Sequence, residues 1–189
     1  MKITTDSILI DPNPLLREKA KAVTIPLSKE DKKIIQAMRK YVHDSKIEEI
    51  AAKDNLKPAV GLAATQIGVL KQMLVVEIEQ VDDQGNSFLV EYALANPKIV
   101  AHSVALCALG SGEGCLSVIE EKPGYVHRPL RVRIQAYDCI NKQQVEIKAK
   151  GYLGVVIQHE IDHLHGVLFY DYINQTDPWI AQDKTTIID

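Results

Sequence analysis

Near the C-terminal end of this 189-residue chain stands Gln158-His159-Glu160-Ile161-Asp162-His163-Leu164, with two histidines four residues apart and a glutamate directly after the first. On an α-helix, residues four apart share a face about one turn from each other. His159 and His163 can therefore offer imidazole nitrogens to a single point, with Glu160 flanking it. Two imidazoles on a divalent metal, with a carboxylate poised over a metal-held water, form the core of many hydrolytic sites. The competing reading is a solvated amphipathic helix whose histidines meet by chance, so the rest of the chain has to decide.

A catalytic site of this kind takes a third protein ligand and leaves one position to water. The short tail beyond His163 offers acids such as Asp171, Asp177 and Asp189. His165, two residues on, lies roughly 200° round an ideal helix and points away. Upstream, Gly112-Glu113-Gly114-Cys115-Leu116-Ser117 sets a thiol between glycines, where a thiolate can approach a metal closely. Cys115 is the expected third ligand. Cys107 and Cys139 lie in apolar, strand-like contexts and read as core. A further stretch, Ala59-Val60-Gly61-Leu62-Ala63-Ala64-Thr65-Gln66-Ile67-Gly68, is small and apolar around one amide. Its backbone can come close to a ligand, and Gln66 can donate a hydrogen bond to a developing oxyanion. Read alone, it is equally a tight loop or a site of close packing.

The elements that must hold these groups read as follows. Asp11-Pro12-Asn13-Pro14 leads into a short helix over Leu15 to Ala20, with proline at its start. Ser28-Lys29-Glu30-Asp31 supplies an N-cap and an acidic first turn. Ile34, Ile35, Met38, Tyr41 and Val42 then recur at helical spacing and form a core face. Met73 to Ile78 and Phe88 to Leu94 are strand candidates around a turn at Asp82 to Asn86, and Asn96-Pro97 breaks the second. Ile99 to Ala101 and Ser103 to Leu106 suggest further strands. Val132 to Tyr137 alternates and pairs with Val145 to Ala149. Gly151 to His165 returns to helical spacing, with Gly166 as a C′ glycine. The expectation is an α+β fold: mainly antiparallel sheets packed around a central helix that carries the metal motif, in a single domain over 1–189.

Composition narrows the partners. A net charge of −3 gives no reason to expect nucleic-acid recognition through bulk electrostatics. No apolar run approaches the roughly 20 residues that span a bilayer, and Met1 to Asp6 lacks a signal-peptide core. Three cysteines do not suggest a disulfide framework. The expected location is cytoplasmic.

Together the three stretches resemble the peptide deformylase family, whose segments Gly-x-Gly-x-Ala-Ala-x-Gln, Glu-Gly-Cys-Leu-Ser and Gln-His-Glu-x-Asp-His stand here as Ala59 to Gln66, Glu113 to Ser117, and Gln158 to His163. The resemblance runs from about Leu16 to Tyr172. Gly124-Tyr125-Val126-His127-Arg128 and the segment inserted before the first motif look like the type 2 subgroup. Two positions depart from the pattern: Ala59 replaces the first glycine, and Thr65 stands where proline is usual. These bear on the placement of Gln66 and on substrate affinity, and remove no ligand or base.

The resemblance implies a bacterial enzyme that hydrolyses the N-formyl group from the N-terminal methionine of newly synthesised polypeptides, releasing formate, in transient association with the ribosome. It implies Cys115, His159 and His163 as metal ligands, and Glu160 as general base and then acid. The Gln66 side chain and the Leu116 backbone N–H would be the oxyanion donors. Val60, Tyr152, Val155 and Val156 would surround the methionine side chain, and backbone at Val60, Gly61 and Gly114 would bind the substrate as a strand. Glu113 and Arg128 would form an ion pair bracing the Cys115 loop, or else a solvated surface pair. Ligand type suits Zn²⁺ and Fe²⁺ alike; the resemblance implies one Fe²⁺ per chain, with Zn²⁺, Ni²⁺ or Co²⁺ able to replace it. Two rivals remain open at this point: a zinc endopeptidase using the same helix with a downstream acid, and a non-catalytic homologue that binds without turnover.

Overall fold

The computed structural model describes residues 1–82 and 84–189. Its helices are α1 (Lys29–Asp44), α2 (Glu48–Asp54) and α3 (Gly151–Leu164). The strands are β1 (Gly61–Ala63), β2 (Met73–Val81), β3 (Ser87–His102), β4 (Leu106–Leu109), β5 (Arg128–Pro129), β6 (Arg131–Asp138), β7 (Gln143–Lys150) and β8 (Thr185–Ile188). Five strands form an antiparallel sheet in the order β1-β2-β3-β6-β7, and three form a second sheet, β5-β4-β8. Among the strands of the described residues the one parallel pair is β4 with β8; an isolated parallel bridge joins Lys21 to Lys71. The fold is therefore α+β with mainly antiparallel sheets, and α3 packs against strands of both.

Alternation explains which faces are covered. β2 is buried on both sides over Met73 to Ile78, which is why Met73 to Val76 reads as a continuous apolar run; the buried Glu77 beyond it is paired with Lys46. Met73 and Val75 face α1, packing with Ile34, Ile35, Met38, Tyr41 and Val42. Leu74, Val76 and Ile78 face α3, packing with Val156, Ile157, Ile161 and Leu164. β6 alternates between exposed and buried residues, because only its inner face, Val132, Ile134 and Ala136, is covered. α1 starts as its sequence dictates: the Ser28 hydroxyl accepts from the Asp31 N–H at 3.1 Å, with Glu30 and Asp31 in the first turn.

Several expectations are corrected. The short helix over Leu15 to Ala20 is a 3-10 turn, Pro14–Arg17. The chain turns extended at Glu18, because the next residues bond elsewhere: Ala20 N–H to Leu164 O and Lys21 N–H to Leu70 O. Asn96-Pro97 does not end its strand. β3 continues to His102, and the register shifts between Ala95 and Lys98, so two residues oppose one on β6. In such a bulge the proline's missing N–H costs no ladder bond. Asn96 adopts a positive φ of 52°, and its side chain pairs with both backbone groups of Val23 at 2.8 Å. Ile99 to Ala101 belongs to this same strand, while Ser103 to Ala105 is a turn before β4. In the predicted turn at Asp82 to Asn86, the Asp82 carboxylate accepts from the N–H groups of Gln84 and Asn86; Asp83 lies outside the described residues.

Candidate metal centre and active site

α3 begins at Gly151, directly after β7, and ten of its fourteen residues are buried, so it runs through the interior rather than over a surface. Gln158 ties it down by donating from Nε2 to Pro129 O at 3.1 Å and Gly154 O at 2.9 Å. His159 and His163 share one face, with ring centroids 4.9 Å apart. Cys115 enters from the connection between β4 and β5. Its Sγ lies 3.2 Å from His163 Nε2, and one ligand atom from each of Cys115, His159 and His163 lies within 4.8 Å of the others. Thiol and imidazole donors at this spacing suit a divalent metal.

The surroundings fit an ion as well. Glu160 Oε2 is buried without any hydrogen-bond partner, whereas such atoms are ordinarily satisfied; His163 turns Nε2 toward Cys115, and its Nδ1, on the other side of the ring, is also unpaired. Burial above all holds the His163 imidazole well below its usual pKa, in the neutral form that a metal requires. Burial pushes the Glu160 carboxyl up to about 7, against the opposing pull of the His159 and Arg128 charges. The Cys115 sulfur receives the Ser117 backbone N–H at 3.4 Å and the Gln66 amide Nε2 at 3.6 Å.

A second layer fixes the ligands. His159 Nδ1 lies 2.8 Å from Glu113 Oε2. Arg128, only 3% exposed, grips Glu113 with Nε at 2.5 Å and Nη2 at 3.0 Å, and reaches Asp162 with Nη1 at 2.7 Å. Burial alone would raise the Glu113 carboxyl, but the hydrogen bonds from His159 and Arg128 outweigh it and hold the group below the ordinary range. Of the two readings of Glu113 and Arg128, the buried pair is the one found.

One pocket collects the remaining residues. Val60, Gly61, Gly114, Tyr152, Val155 and Val156 line it together with Gln66, Cys115, Leu116, His159 and Glu160, while His163 lies behind at 1% exposure. Gln66 is oriented by its carbonyl, which accepts from Ala63 N–H at 2.9 Å. Its NH₂ thereby faces Ser117 Oγ at 3.2 Å and the Cys115 sulfur. A Cβ added at Gly61 would land on Glu160 Oε1, so the backbone lies against the carboxylate because this residue has no side chain. A Cβ at Gly114 would meet nothing within 4 Å; it borders open space.

Residues 5–179 match the family model for polypeptide deformylase. The chain belongs to that family. It is 48% identical over 176 residues to a peptide deformylase of Staphylococcus epidermidis, covering 93% of this chain and 94% of that one. It is 46% identical over 181 residues to "Peptide deformylase 2" of Geobacillus stearothermophilus, covering 96% of each. Among solved structures, peptide deformylase from Ehrlichia chaffeensis superposes with a TM-score of 0.70 at 29% identity, over 93% of this chain and 90% of that one. A Met-ala-ser-bound peptide deformylase from Acinetobacter baumannii superposes with a TM-score of 0.69 at 25% identity, over 92% and 100%. The chain is thus a metal-dependent deformylase, and the endopeptidase reading falls. Asp171, one of the tail acids that reading needed, is held instead by Arg17 and the Leu168 N–H.

Against the deformylase pattern, the two departures become concrete. Ala59 is not among the residues with positive φ, so alanine costs no backbone strain there. Thr65 is fully buried, and its hydroxyl donates to the His163 carbonyl at 3.1 Å. Sequence reasoning missed the Glu113–His159 bond, although a buried histidine ligand commonly gives its second nitrogen to a carboxylate. It also missed Leu109, Val118 and Ile119 on the pocket wall, and the Ser117 contact to Gln66. The separation of these residues along the chain gave no signal for the contacts.

Proposed function

We propose that Cys115, His159 and His163 hold one divalent ion, Fe²⁺ in the cell, replaceable by Zn²⁺, Ni²⁺ or Co²⁺, and that the pocket binds the formylated N-terminal methionine of a newly made polypeptide. The observation that carries this reading is the convergence of three unlike elements on one point: the ligand triad, the unpaired oxygen of buried Glu160, and the NH₂ of Gln66. A divalent ion so held supplies Lewis acidity, lowering the pKa of water and polarising a carbonyl oxygen. Glu160, buried and unpaired, takes the proton of the attacking water and delivers it to the amide nitrogen as the C–N bond breaks. Formate and a free amine result. The Gln66 side chain and the Leu116 N–H donate to the oxyanion that forms on the formyl carbon, each such donor being worth about 2.7–4 kcal/mol.

The sheet supports a path for the substrate. β1 is an edge strand of the five-stranded sheet, and its residue Gly61 borders the pocket. Peptide backbone at Val60 and Gly61 on one side and Gly114 on the other would take the substrate as an added strand. The methionine side chain would enter among Val60, Tyr152, Val155 and Val156. The Acinetobacter relative's Met-ala-ser complex supports a ligand that begins with methionine. We further assign the work to one catalytic domain over 1–189, acting in the cytoplasm in transient contact with the ribosome. Among the described residues no helix is long and apolar enough to cross a membrane.

The test is anaerobic formate release from formyl-Met-Ala-Ser by wild type and Glu160→Ala, with metal analysis of both. Turnover by wild type, and a mutant that keeps its metal but not its activity, is the expected result. Metal-loaded wild type that binds the peptide without releasing formate would overturn the assignment in favour of a binding-only homologue.

A further inference from the structure

The last turn of any helix leaves its final carbonyls without intrahelical partners, and in α3 that turn contains a metal ligand. Each of these carbonyls is taken up. Ile161 O accepts from His165 Nδ1 at 2.8 Å, and Asp162 O from the N–H groups of His165 and Val167. Leu164 O accepts from Ala20 N–H at 2.9 Å. His163 O receives Gly166 N–H at 3.2 Å and the Thr65 hydroxyl at 3.1 Å. Thr65 is thus the side chain that reaches the backbone of a ligand residue from a different element, 98 positions away. It belongs to the 3-10 turn Ala64–Ile67, which also carries Gln66, and it is fully buried. A proline at this position would have no hydroxyl to offer and could make no such bond.

We propose that Thr65 is a positioning residue: its hydroxyl locks the turn bearing Gln66 to the helix end bearing His163, so that this histidine ligand and the oxyanion donor are held as one unit. The inference rests on the deformylation reading only for the role of Gln66. The link to His163 stands apart from it. Contacts to a ligating side chain itself are worth about 10-fold to 100-fold in metal affinity; a bond to the ligand residue's backbone carbonyl lies one step further out and belongs at the lower end of that range.

The experiment compares wild type, Thr65→Val, Thr65→Ala and Thr65→Ser, each loaded with zinc. The rate of zinc loss to a chelator is measured alongside kcat and KM for formyl-Met-Ala-Ser. Valine keeps the shape and removes the donor; alanine serves should valine prevent folding; serine keeps the hydroxyl. The expected result is zinc loss about 10-fold faster in the valine and alanine variants, kcat lowered with KM little changed, and both restored by serine. Lower melting temperature with unaltered zinc loss and kcat would overturn the proposal, leaving Thr65 as packing alone. So would a serine variant as impaired as valine. Wild type that holds zinc and releases no formate counts against the deformylation reading instead, and the zinc-loss comparison still decides the link to His163.

Discussion

Glu113 binds no metal, yet it orients one ligand and anchors the loop that supplies another. Its carboxylate meets His159 on one side and the Arg128 guanidinium on the other, all three largely removed from water. Removing its charge leaves Arg128 buried against Asp162 alone. We expect Glu113→Gln to weaken metal affinity by about 10-fold or more, measured by chelator competition, and to lower stability in urea. Cys115 is the other residue with a sharp outcome. Burial raises the Cys107 thiol, and burial with the charge of Asp138 pushes Cys139 up to about 12. In metal-free protein, iodoacetamide should therefore mark Cys115 first, and zinc should protect it; peptide mapping by mass spectrometry reads both. Equal labelling of all three cysteines, with no protection by zinc, would count against Cys115 as a ligand. Gly61→Ala tests the contact with Glu160. A methyl group there displaces the carboxylate, and a displacement of about 1 Å can cost about 100-fold in rate, seen as a fall in kcat with metal content retained.

At the scale of elements, β3 is the strand whose sequence misleads most. The expectation that Asn96-Pro97 ends it follows from proline's missing donor, and the bulge is where that loss is harmless. Asn96 then serves as the sheet's connection to the N-terminal segment through its paired bonds to Val23. Asn96→Ala should destabilise the protein by about 1–3 kcal/mol, from buried backbone groups left unpaired, measured by chemical denaturation with unchanged slope. Elements with a local pattern were legible: α1 from its cap and its i, i+3, i+4 spacing, β6 with β7 from alternation, and α3 from the histidine pair and Gly166. Elements defined by distant partners were not. β1 is three residues long and exists because β2 pairs with it. β8 forms beside β4 from a polar tail, and α2, with no side-chain cap, has too little apolar periodicity to stand out. The same division holds in the site. Ligands four residues apart on a helix announce themselves, whereas Thr65 reaching His163 is a consequence of packing.

At the scale of the whole molecule, the centre joins parts that are far apart in sequence. Cys115 comes from the connection between β4 and β5, while both histidines ride on α3. An ion bound at that point cross-links the two, and anything that binds the folded state alone stabilises it, by about 2.7 kcal/mol at a hundredfold excess over Kd. Stripping the metal should lower the melting temperature and reloading zinc should restore it, as followed by calorimetry. Fe²⁺ can be oxidised by oxygen whereas Zn²⁺ has no redox chemistry, so the iron form should lose activity in air faster than the zinc form; iron-loaded protein with undiminished turnover after long exposure would contradict that expectation.

β1 also sets a length scale. A three-residue strand offers a guest chain main-chain bonds over roughly 10 Å at about 3.3 Å per residue. Whatever follows the first few residues of a substrate then lies beyond the reach of this edge. The enzyme would therefore measure how a polypeptide starts and remain blind to what it becomes. Formylated peptides sharing their first three residues should be processed with nearly equal kcat/KM whether they are three or ten residues long.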